Sequence, residues 1–335
     1  MPDLLVVEKL RQVFGGRNQT FAVDDVSFRI PAEPTIVSLV GESGSGKSTI
    51  ARIILGLLKP TAGRVLYDGA DIFSPGREWN RKFRSEVQAV FQDPYSVYNP
   101  VYRAERVLKL VIRKFRLAKT KAEAQALMDE ALRAVDLRPE EVLDRHPHQL
   151  SGGQRQRLML ARVYLMRPRF IVADEPVSMI DAGMRASFLN ILLDFRDRHG
   201  ISTLFITHDL STAMYLGGEI IVLYQGRIME QGATQSVMKA PMHPYAQLLI
   251  SSIPTPDPRQ RWEEDLSAAP LAEIGEIGEV GAFGAASASN RGRCLFANRC
   301  PQVMDRCWRA RPALQAPYEA DKSAAEREVA CYLYD

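Results

Sequence analysis

The sequence predicts an α/β fold built around a mainly parallel β-sheet. Three short apolar runs, at residues 37–40, 170–173 and 204–206, have the composition of buried strands. Each run lies next to a segment with helical spacing, and this alternation is typical of α/β proteins. We expect a helix over residues 47–58, directly after the first run. Its predicted buried face consists of Ile50, Ile53, Ile54 and Leu57.

Length and composition limit the class of protein. The chain has 335 residues, which predicts about two structural units. Hydrophobic residues make up 46% and charged residues 25%, values that argue against a disordered chain. The net charge of +3 gives no reason to expect nucleic acid as a partner. No apolar run has transmembrane length and none near the start suits secretion, so work at a membrane would require an embedded partner.

Residues 41–49 form the strongest motif, G-E-S-G-S-G-K-S-T, between the first apolar run and its helix. The motif fits the pattern G-x-x-x-x-G-K-[ST], whose glycines turn backbone N–H groups toward phosphate oxygens at a helix N-terminus. Lys47 is expected to reach the β- and γ-phosphates, and the Ser48 hydroxyl to ligate Mg²⁺. The predicted nucleotide-binding residues are Gly41, Glu42, Ser43, Gly44, Ser45, Gly46, Lys47, Ser48 and Thr49.

Two acidic residues follow the second apolar run, in the segment F-I-V-A-D-E-P at residues 170–176. Carboxylates are costly inside a sheet, but they suit the C-terminal edge of parallel strands, where open α/β folds bind ligands. We expect Asp174 to hold Mg²⁺ through water. Glu175 is expected to be the general base that activates the attacking water.

A second phosphate-binding surface is predicted at residues 150–154, L-S-G-G-Q, where a serine and two glycines begin a helix. The set of motifs resembles the ATP-binding subunits of ATP-binding-cassette (ABC) transporters, and residues 150–154 match the signature motif of that family. The resemblance implies a P-loop ABC ATPase fold that binds Mg²⁺ and ATP. It also implies a helical subdomain at about residues 95–165.

The resemblance assigns further roles residue by residue. Gln92, in F-Q-D-P, matches the residue that contacts Mg²⁺ and the membrane partner. His208 matches the switch histidine that contacts the γ-phosphate. Phe14 is expected to stack on adenine, with Phe21 as the alternative, although core packing explains either aromatic equally well.

In this family two ATPase subunits face each other head to tail, and each ATP lies between the phosphate loop of one and the signature loop of the other. The resemblance therefore implies that part of this chain acts on a partner's nucleotide. The residues concerned are Ser151, Gly152, Gly153, Gln154 and, in the D-loop sequence S-M-I-D, Asp181. The family more often has S-A-L-D at that position.

Residues 240–246, A-P-M-H-P-Y-A, resemble the H-P-Y segment of oligopeptide and dipeptide importer ATPases. This implies a peripheral ATPase at the cytoplasmic face of the membrane. Its expected partners are a second related ATPase, two permease subunits and an extracytoplasmic solute-binding protein, with residues 95–100 in the groove for a permease helix. Peptides are the expected solute, with oligosaccharides or nickel as alternatives. His243 suits a metal ligand, but a turn built on Pro241 and Pro244 is the favoured interpretation.

The cysteines of the chain are Cys294, Cys300, Cys307 and Cys331, with the spacing C-x5-C-x6-C-x23-C. A reducing compartment disfavours disulfides, so four clustered thiols predict either Zn²⁺ or a [4Fe–4S] cluster. The lack of a close C-x2–4-C pair, and Pro301 after a cysteine, favour the iron–sulfur cluster. The resemblance implies the same cluster.

The predicted boundaries are an ATPase domain at residues 1–255, a linker at 256–292 and a cysteine-rich extension at 293–335. Two other function classes fit less well. A soluble ABC ATPase of translation or DNA repair usually has two cassettes or a long coiled-coil insert. An iron–sulfur electron carrier would need a second redox motif.

Overall fold

The computed structural model describes residues 3–15, 19–74, 76–92, 98–253, 286–287, 292–317 and 327–335. Within these residues the chain forms two β-sheets and a helical region. The strands are β1 Leu5–Phe14, β2 Thr20–Ile30, β3 Ile36–Val40, β4 Ala62–Tyr67, β5 Ala70–Asp71, β6 Val87–Val90, β7 Phe170–Asp174, β8 Ser202–Thr207, β9 Glu219–Tyr224, β10 Arg227–Ala233, β11 Ala286–Ser287 and β12 Glu328–Val329. The helices are α1 Lys47–Ile54, α2 Arg77–Glu86, α3 Glu105–Phe115, α4 Lys121–Arg133, α5 Pro139–Val142, α6 Gly152–Tyr164, α7 Ala182–His199, α8 Leu210–Leu216, α9 Thr234–Lys239, α10 Pro244–Ser251 and α11 Asp305–Arg309.

The larger sheet has the strand order β12-β10-β9-β3-β8-β7-β6. The five strands from β9 to β6 pair in parallel, and β10 and β12 pair antiparallel. The expected mainly parallel sheet is therefore confirmed. Because the carboxyl ends of parallel strands meet at one edge, the residues that follow β3, β7 and β8 lie together there.

The second sheet, in the order β11-β2-β1-β4-β5, is antiparallel and was not predicted from the sequence. The pairing of β1 with β2 shifts register three times, between Val7 and Leu10, Leu10 and Gln12, and Gln12 and Val13, so the period-two pattern of a strand is broken. Buried side chains of both sheets and of α1 join one hydrophobic cluster. The antiparallel sheet thus covers the helix that follows the phosphate-binding motif.

Helix α1 is shorter than the sequence predicts. It ends at Ile54, and Gly56 follows with a left-handed φ of +67°, a common way to terminate a helix. Ile50, Ile53 and Ile54 are buried as expected, but Leu57 lies beyond the helix and is 66% exposed. The placement of Leu57 on the buried face was therefore wrong.

Helices α3 to α6 share a hydrophobic cluster with residues of the parallel sheet. In α4, Met128, Ala131 and Leu132 are buried, and the Thr120 side chain caps the helix by accepting the Glu123 N–H at 3.1 Å. These helices lie within the range predicted for the helical subdomain. Its predicted start at residues 95–97 lies outside the described residues.

The C-terminal segment packs against the larger sheet. Strand β12 pairs with β10, and Phe296 is buried beside Tyr224 and Tyr245. Of the predicted linker at 256–292, only residues 286–287 and 292 are described, and residues 286–287 pair with β2. Among the described residues, no helix has the length and apolar character needed to cross a membrane.

Candidate nucleotide-binding site

Lys47 lies at the start of α1 and is almost fully buried, at 5% exposed. Its Nζ donates hydrogen bonds to the carbonyl oxygens of Gly41 at 2.7 Å and Glu42 at 2.8 Å. Burial lowers the pKa of Lys47, and the carboxylates of Glu175, Asp174 and Glu42 oppose this effect. The ammonium is thus a cation that three acidic groups surround, placed inside the phosphate-binding loop.

Two glycines of the loop are required by close backbone contacts. A Cβ atom on Gly41, whose φ is +152°, would collide with the carbonyl oxygen of Leu223 in β9. A Cβ atom on Gly46, whose φ is +107°, would collide with the carbonyl oxygen of Ala22 in β2. Both sheets therefore hold the loop, and no other residue type fits at these two positions without backbone movement.

Asp174 ends β7 and reaches across to the first turn of α1. The Ser48 hydroxyl donates to Asp174 Oδ1 at 3.2 Å. Burial raises the pKa of Asp174, and the hydrogen bond from Ser48 partly offsets this rise. A carboxylate and a hydroxyl in contact at the phosphate loop are the oxygen ligands that Mg²⁺ uses with nucleotides.

Glu175 and His208 come from neighbouring strand ends, after β7 and β8. His208 Nδ1 lies 3.1 Å from Glu175 Oε1. Glu175 has a left-handed φ of +47°, a conformation that non-glycine residues adopt mostly where surrounding structure fixes them. The two side chains line a cavity of about 60 Å³ together with Ser178, Arg185 and others. This arrangement can hold and deprotonate a water molecule.

The remaining residues predicted to contact the nucleotide in this chain differ in their exposure to solvent. Ser43 and Gly44 are exposed at the loop tip, and Ser45 and Thr49 are buried and half-buried. Gln92 is exposed after β6, at the same sheet edge as Asp174. Phe14 ends β1 and is 43% exposed, whereas Phe21 is only 3% exposed. An adenine ring could stack on Phe14 without rearrangement of the core, which Phe21 does not allow.

The predicted signature segment begins α6. The Ser151 hydroxyl accepts the Gln154 N–H at 3.1 Å, and the Gln154 side chain accepts the Ser151 N–H at 3.0 Å. Gly153 is buried against the Met184 side chain, which leaves no space for a Cβ atom. Gly152 is half-exposed, and Asp181 is exposed at the start of α7, the helix that carries Met184. The signature therefore packs against the helix that follows the predicted D-loop.

The four cysteines line one small cavity together with His243 and Phe296. The Cys294 N–H donates to the Cys307 carbonyl at 2.8 Å. Burial raises the pKa of Cys294 and of Cys300, and raises that of Cys331 to about 11. Four convergent thiols have the donor chemistry of a thiolate site. However, among the described residues no three Cys, His, Asp or Glu side chains are placed to hold a metal ion, so the predicted metal site is not supported by this geometry.

Two contacts to the phosphate loop were not predicted from the sequence. The Glu42 N–H donates to the Tyr245 hydroxyl at 3.0 Å, and the Arg299 guanidinium lies 3.0 Å from the Glu42 carboxylate. The partners are 203 and 257 residues apart in the chain. The only sequence signals were the H-P-Y segment and an arginine beside Cys300, and neither indicates which residue it contacts.

Comparison with protein families gives two matches. The ABC transporter family matches residues 23–178, and the oligopeptide/dipeptide transporter C-terminal region matches residues 229–307. A Brucella ovis protein provisionally named a peptide import ATP-binding protein is 38% identical over 93% of this chain and 94% of its own length. The dipeptide transport ATP-binding protein of Lactococcus lactis subsp. cremoris is 40% identical over 78% of this chain and 84% of its own length.

Solved structures agree with these matches. CbiO1 of Clostridium perfringens, part of an ABC transporter complex, has a TM-score of 0.63 and 26% identity over 71% of this chain and 92% of its own. The ATP-binding cassette MJ0796, a dimer in a post-hydrolysis state bound to ADP and Pi, has a TM-score of 0.60 and 29% identity over 69% of this chain and 98% of its own. This chain therefore belongs to the ABC transporter ATP-binding proteins, in the group that carries the oligopeptide/dipeptide transporter C-terminal region.

Proposed function

We propose that this chain binds and hydrolyses Mg·ATP as the energising subunit of an importer for di- or oligopeptides. The single observation that carries the proposal is the contact of Glu175 with His208 at the sheet edge that also presents Lys47, Ser48 and Asp174. Peptide as the solute rests on the names of the relatives and on the C-terminal family match.

Each residue of the site has a role that its position supports. Lys47 binds the β- and γ-phosphates, and Ser48, Asp174 and Gln92 bind Mg²⁺ directly or through water. Glu175 accepts a proton from the attacking water, and His208 orients this carboxylate and contacts the γ-phosphate. Because Lys47 already donates to two loop carbonyls, the phosphate oxygens of ATP replace these acceptors when the nucleotide binds.

We infer that a second ATPase subunit completes the site. The signature and the helix that follows the phosphate loop pack in different parts of this chain. Leu150 of the signature lies in the hydrophobic cluster of the helical region, whereas α1 lies in the cluster of the two sheets. The cap at Ser151 already satisfies the Gln154 N–H, so Ser151 and Gly152 offer their exposed surfaces to a partner's nucleotide. A related but distinct ATPase is the proposed partner.

A groove in the helical region supports the proposed permease contact. Its volume is about 490 Å³, and it is lined by exposed apolar side chains, Val101 and Leu110, and by the cations Arg106, Lys109 and Arg113. Apolar anchors with a charged rim suit a short amphipathic helix. The residues at 93–97, which contain part of the predicted groove, lie outside the described residues.

We further propose that the four cysteines hold a [4Fe–4S] cluster, with Zn²⁺ as the alternative. The convergence of all four thiols on one cavity supports thiolate ligation. The cluster would stabilise the extension. Anaerobic purification should give iron and acid-labile sulfide in the chain, and Cys307→Ser should abolish both. Zinc without sulfide would instead support the alternative.

The experiment that tests the function is purification of this chain from its native membranes in mild detergent, with identification of every co-purifying protein. We expect two permease subunits, a related ATPase and a solute-binding protein whose bound ligand is a peptide. A bound oligosaccharide or nickel would change the solute. Recovery only with ribosomal or DNA-repair proteins would contradict transport and favour a soluble ABC ATPase.

A further inference from the structure

Glu42 of the phosphate loop is held by two residues from the C-terminal third of the chain. Tyr245, in the H-P-Y segment, accepts the Glu42 N–H at 3.0 Å. Arg299, next to Cys300, forms an ion pair with the Glu42 carboxylate at 3.0 Å. Glu42 directly follows Gly41, and both offer their carbonyl oxygens to Lys47. A single residue, Glu42, therefore links the C-terminal region to Lys47, the cation expected to bind phosphate.

The H-P-Y segment is built to fix the position of Tyr245. Buried Glu230 accepts the N–H groups of Met242 and His243, at 3.1 and 2.8 Å. The His243 ring then caps α10, because its Nδ1 accepts the Tyr245 N–H at 3.0 Å, and Pro244 occupies the first helical position. Burial lowers the pKa of His243 to about 4, so the ring is neutral and suited to accept this bond at neutral pH.

Aromatic packing places both residues that contact Glu42, Tyr245 and Arg299, beside the cavity of the four cysteines. The Tyr245 ring is fully buried, 4.5 Å from the ring centroid of Tyr224 and 5.5 Å from that of Phe296. The Arg299 guanidinium lies over the same two neighbours, at 5.9 Å from Tyr224 and 5.6 Å from Phe296. Phe296 itself lines the cavity of the four cysteines. The fold of the cysteine-rich extension therefore determines the direction of the Arg299 side chain.

The charge of Glu42 makes this ion pair relevant to the nucleotide. The Glu42 carboxylate is close enough to Lys47 to raise the pKa of that lysine, so it also acts on phosphates bound there. An unpaired carboxylate at the phosphate loop repels a triphosphate, whereas the Arg299 cation neutralises it. We propose that Tyr245 and Arg299 are positioning residues for the nucleotide. Tyr245 holds the Glu42 backbone from the H-P-Y segment, and Arg299 neutralises the Glu42 carboxylate from the cysteine-rich extension.

This proposal rests on the proposed ATP site, and titration of the full-length chain with Mg·ATP by calorimetry tests it. Arg299→Gln should raise the Kd about three- to tenfold, and the increase should shrink at high salt. Tyr245→Phe, which keeps the ring and removes the acceptor, should raise the Kd by a similar factor. The matched control is Arg309→Gln, an exposed arginine of α11 with the same charge change, whose Kd should equal that of the unmodified chain.

A double-mutant cycle separates positioning from general damage to the fold. In a Glu42→Gln background, Arg299→Gln should no longer weaken ATP binding, because no carboxylate remains to be neutralised. Arg299→Lys should restore most of the affinity. In the assembled complex, Arg299→Gln should raise the KM for ATP and leave kcat at saturating ATP unchanged.

Three results would overturn the proposal: unchanged Kd in both single variants, an equal loss in the Glu42→Gln background, or an equal loss in Arg309→Gln. Failure of the unmodified chain to bind Mg·ATP would instead contradict the proposed function itself.

Discussion

The phosphate-loop region and the C-terminal region organise their important residues in opposite ways. In the first, Lys47, Asp174, Glu175 and His208 each lie within a short motif at or after the end of a parallel strand. In the second, the contacts join residues far apart in the chain, such as Glu230 with Arg327 and Asp24 with Arg311, at separations of 97 and 287 residues. Chemistry at a strand edge can be encoded locally, whereas attachment of an extension depends on tertiary contacts.

The two regions also differ in what stabilises them. The loop and α1 lie in a hydrophobic cluster formed by both sheets. The extension packs in a smaller hydrophobic cluster around Phe296, and β12 pairs with β10. Three ion pairs also hold it: Arg299 with Glu42, Arg311 with Asp24, and Arg327 with Glu230. Substitutions in the first region should therefore change chemistry. Apart from Tyr245 and Arg299, which contact Glu42 of the phosphate loop, substitutions in the second region should change stability and attachment.

The largest expected effect is on catalysis. Glu175→Gln removes the proton acceptor but keeps the shape, so ATP hydrolysis by the assembled complex should fall by about 10³-fold while Mg·ATP still binds. The control is Glu33→Gln, an exposed carboxylate before β3, at the opposite end of the parallel strands from the site, which should hydrolyse at the normal rate. Near-normal turnover of Glu175→Gln would mean that another group is the base.

The next effect is on the attachment of the C-terminal segment. Glu230→Ala leaves the Arg327 guanidinium, 8% exposed, without its buried carboxylate, and it removes the acceptor for two backbone N–H groups. Urea unfolding should show a free energy of unfolding lower by about 3–5 kcal/mol. The exposed Glu140→Ala control should change it by less than about 0.5 kcal/mol. Equal stability of the two variants would show that this ion pair does not hold the segment.

Asp24 predicts an acid-dependent loss of stability. Burial alone would raise its pKa, but Arg227 and Arg311 hold the pKa of this carboxyl below its usual 3.8. A lowered folded-state pKa stabilises the protein above about pH 3.8, and this contribution is lost as pH falls through the folded value. Asp24→Asn should lower the free energy of unfolding at pH 7 by about 2 kcal/mol, with a smaller loss below pH 3. An equal loss at both pH values would contradict the assignment.

The smallest effect separates a helix cap from a phosphate contact. Ser151→Ala and Thr120→Ala each remove a hydroxyl that caps a helix, at 3.1 Å in both cases, so each should lower the free energy of unfolding by about 1 kcal/mol. Only Ser151→Ala should also slow ATP hydrolysis in the assembled complex. Equal hydrolysis by the two variants would argue against a role of Ser151 at a partner's nucleotide.

Much of the site could be predicted because each motif is adjacent in sequence to the strand or helix that positions it. A buried run, a glycine-rich loop and a helix specify the position of Lys47 and Ser48, and acidic residues after β7 had to lie at the same sheet edge. The antiparallel sheet could not be predicted in the same way, since bulges in β1 break the alternation of buried and exposed residues. The end of α1 was missed because Gly56, rather than the apolar pattern, terminates it.

The contacts of the C-terminal region had no such local signal. The composition of the H-P-Y segment indicated a turn, and the structure places His243 as a helix cap, but the target of Tyr245 depends on how α10 packs against β9 and the loop. Likewise, cysteine spacing indicated a shared site without specifying that Arg299 reaches Glu42. Long-range packing, which spacing does not encode, decides both contacts.

Solute uptake by the purified complex in lipid vesicles is the most direct test of peptide import by this chain. The complex contains this chain, its co-purifying ATPase and permeases, and the solute-binding protein. With ATP on the side of the ATPases, a labelled dipeptide or tripeptide should accumulate, and uptake should stop when this chain carries Glu175→Gln. ATP hydrolysis without peptide accumulation, or uptake that the Glu175→Gln substitution leaves unchanged, would contradict peptide import driven by this site.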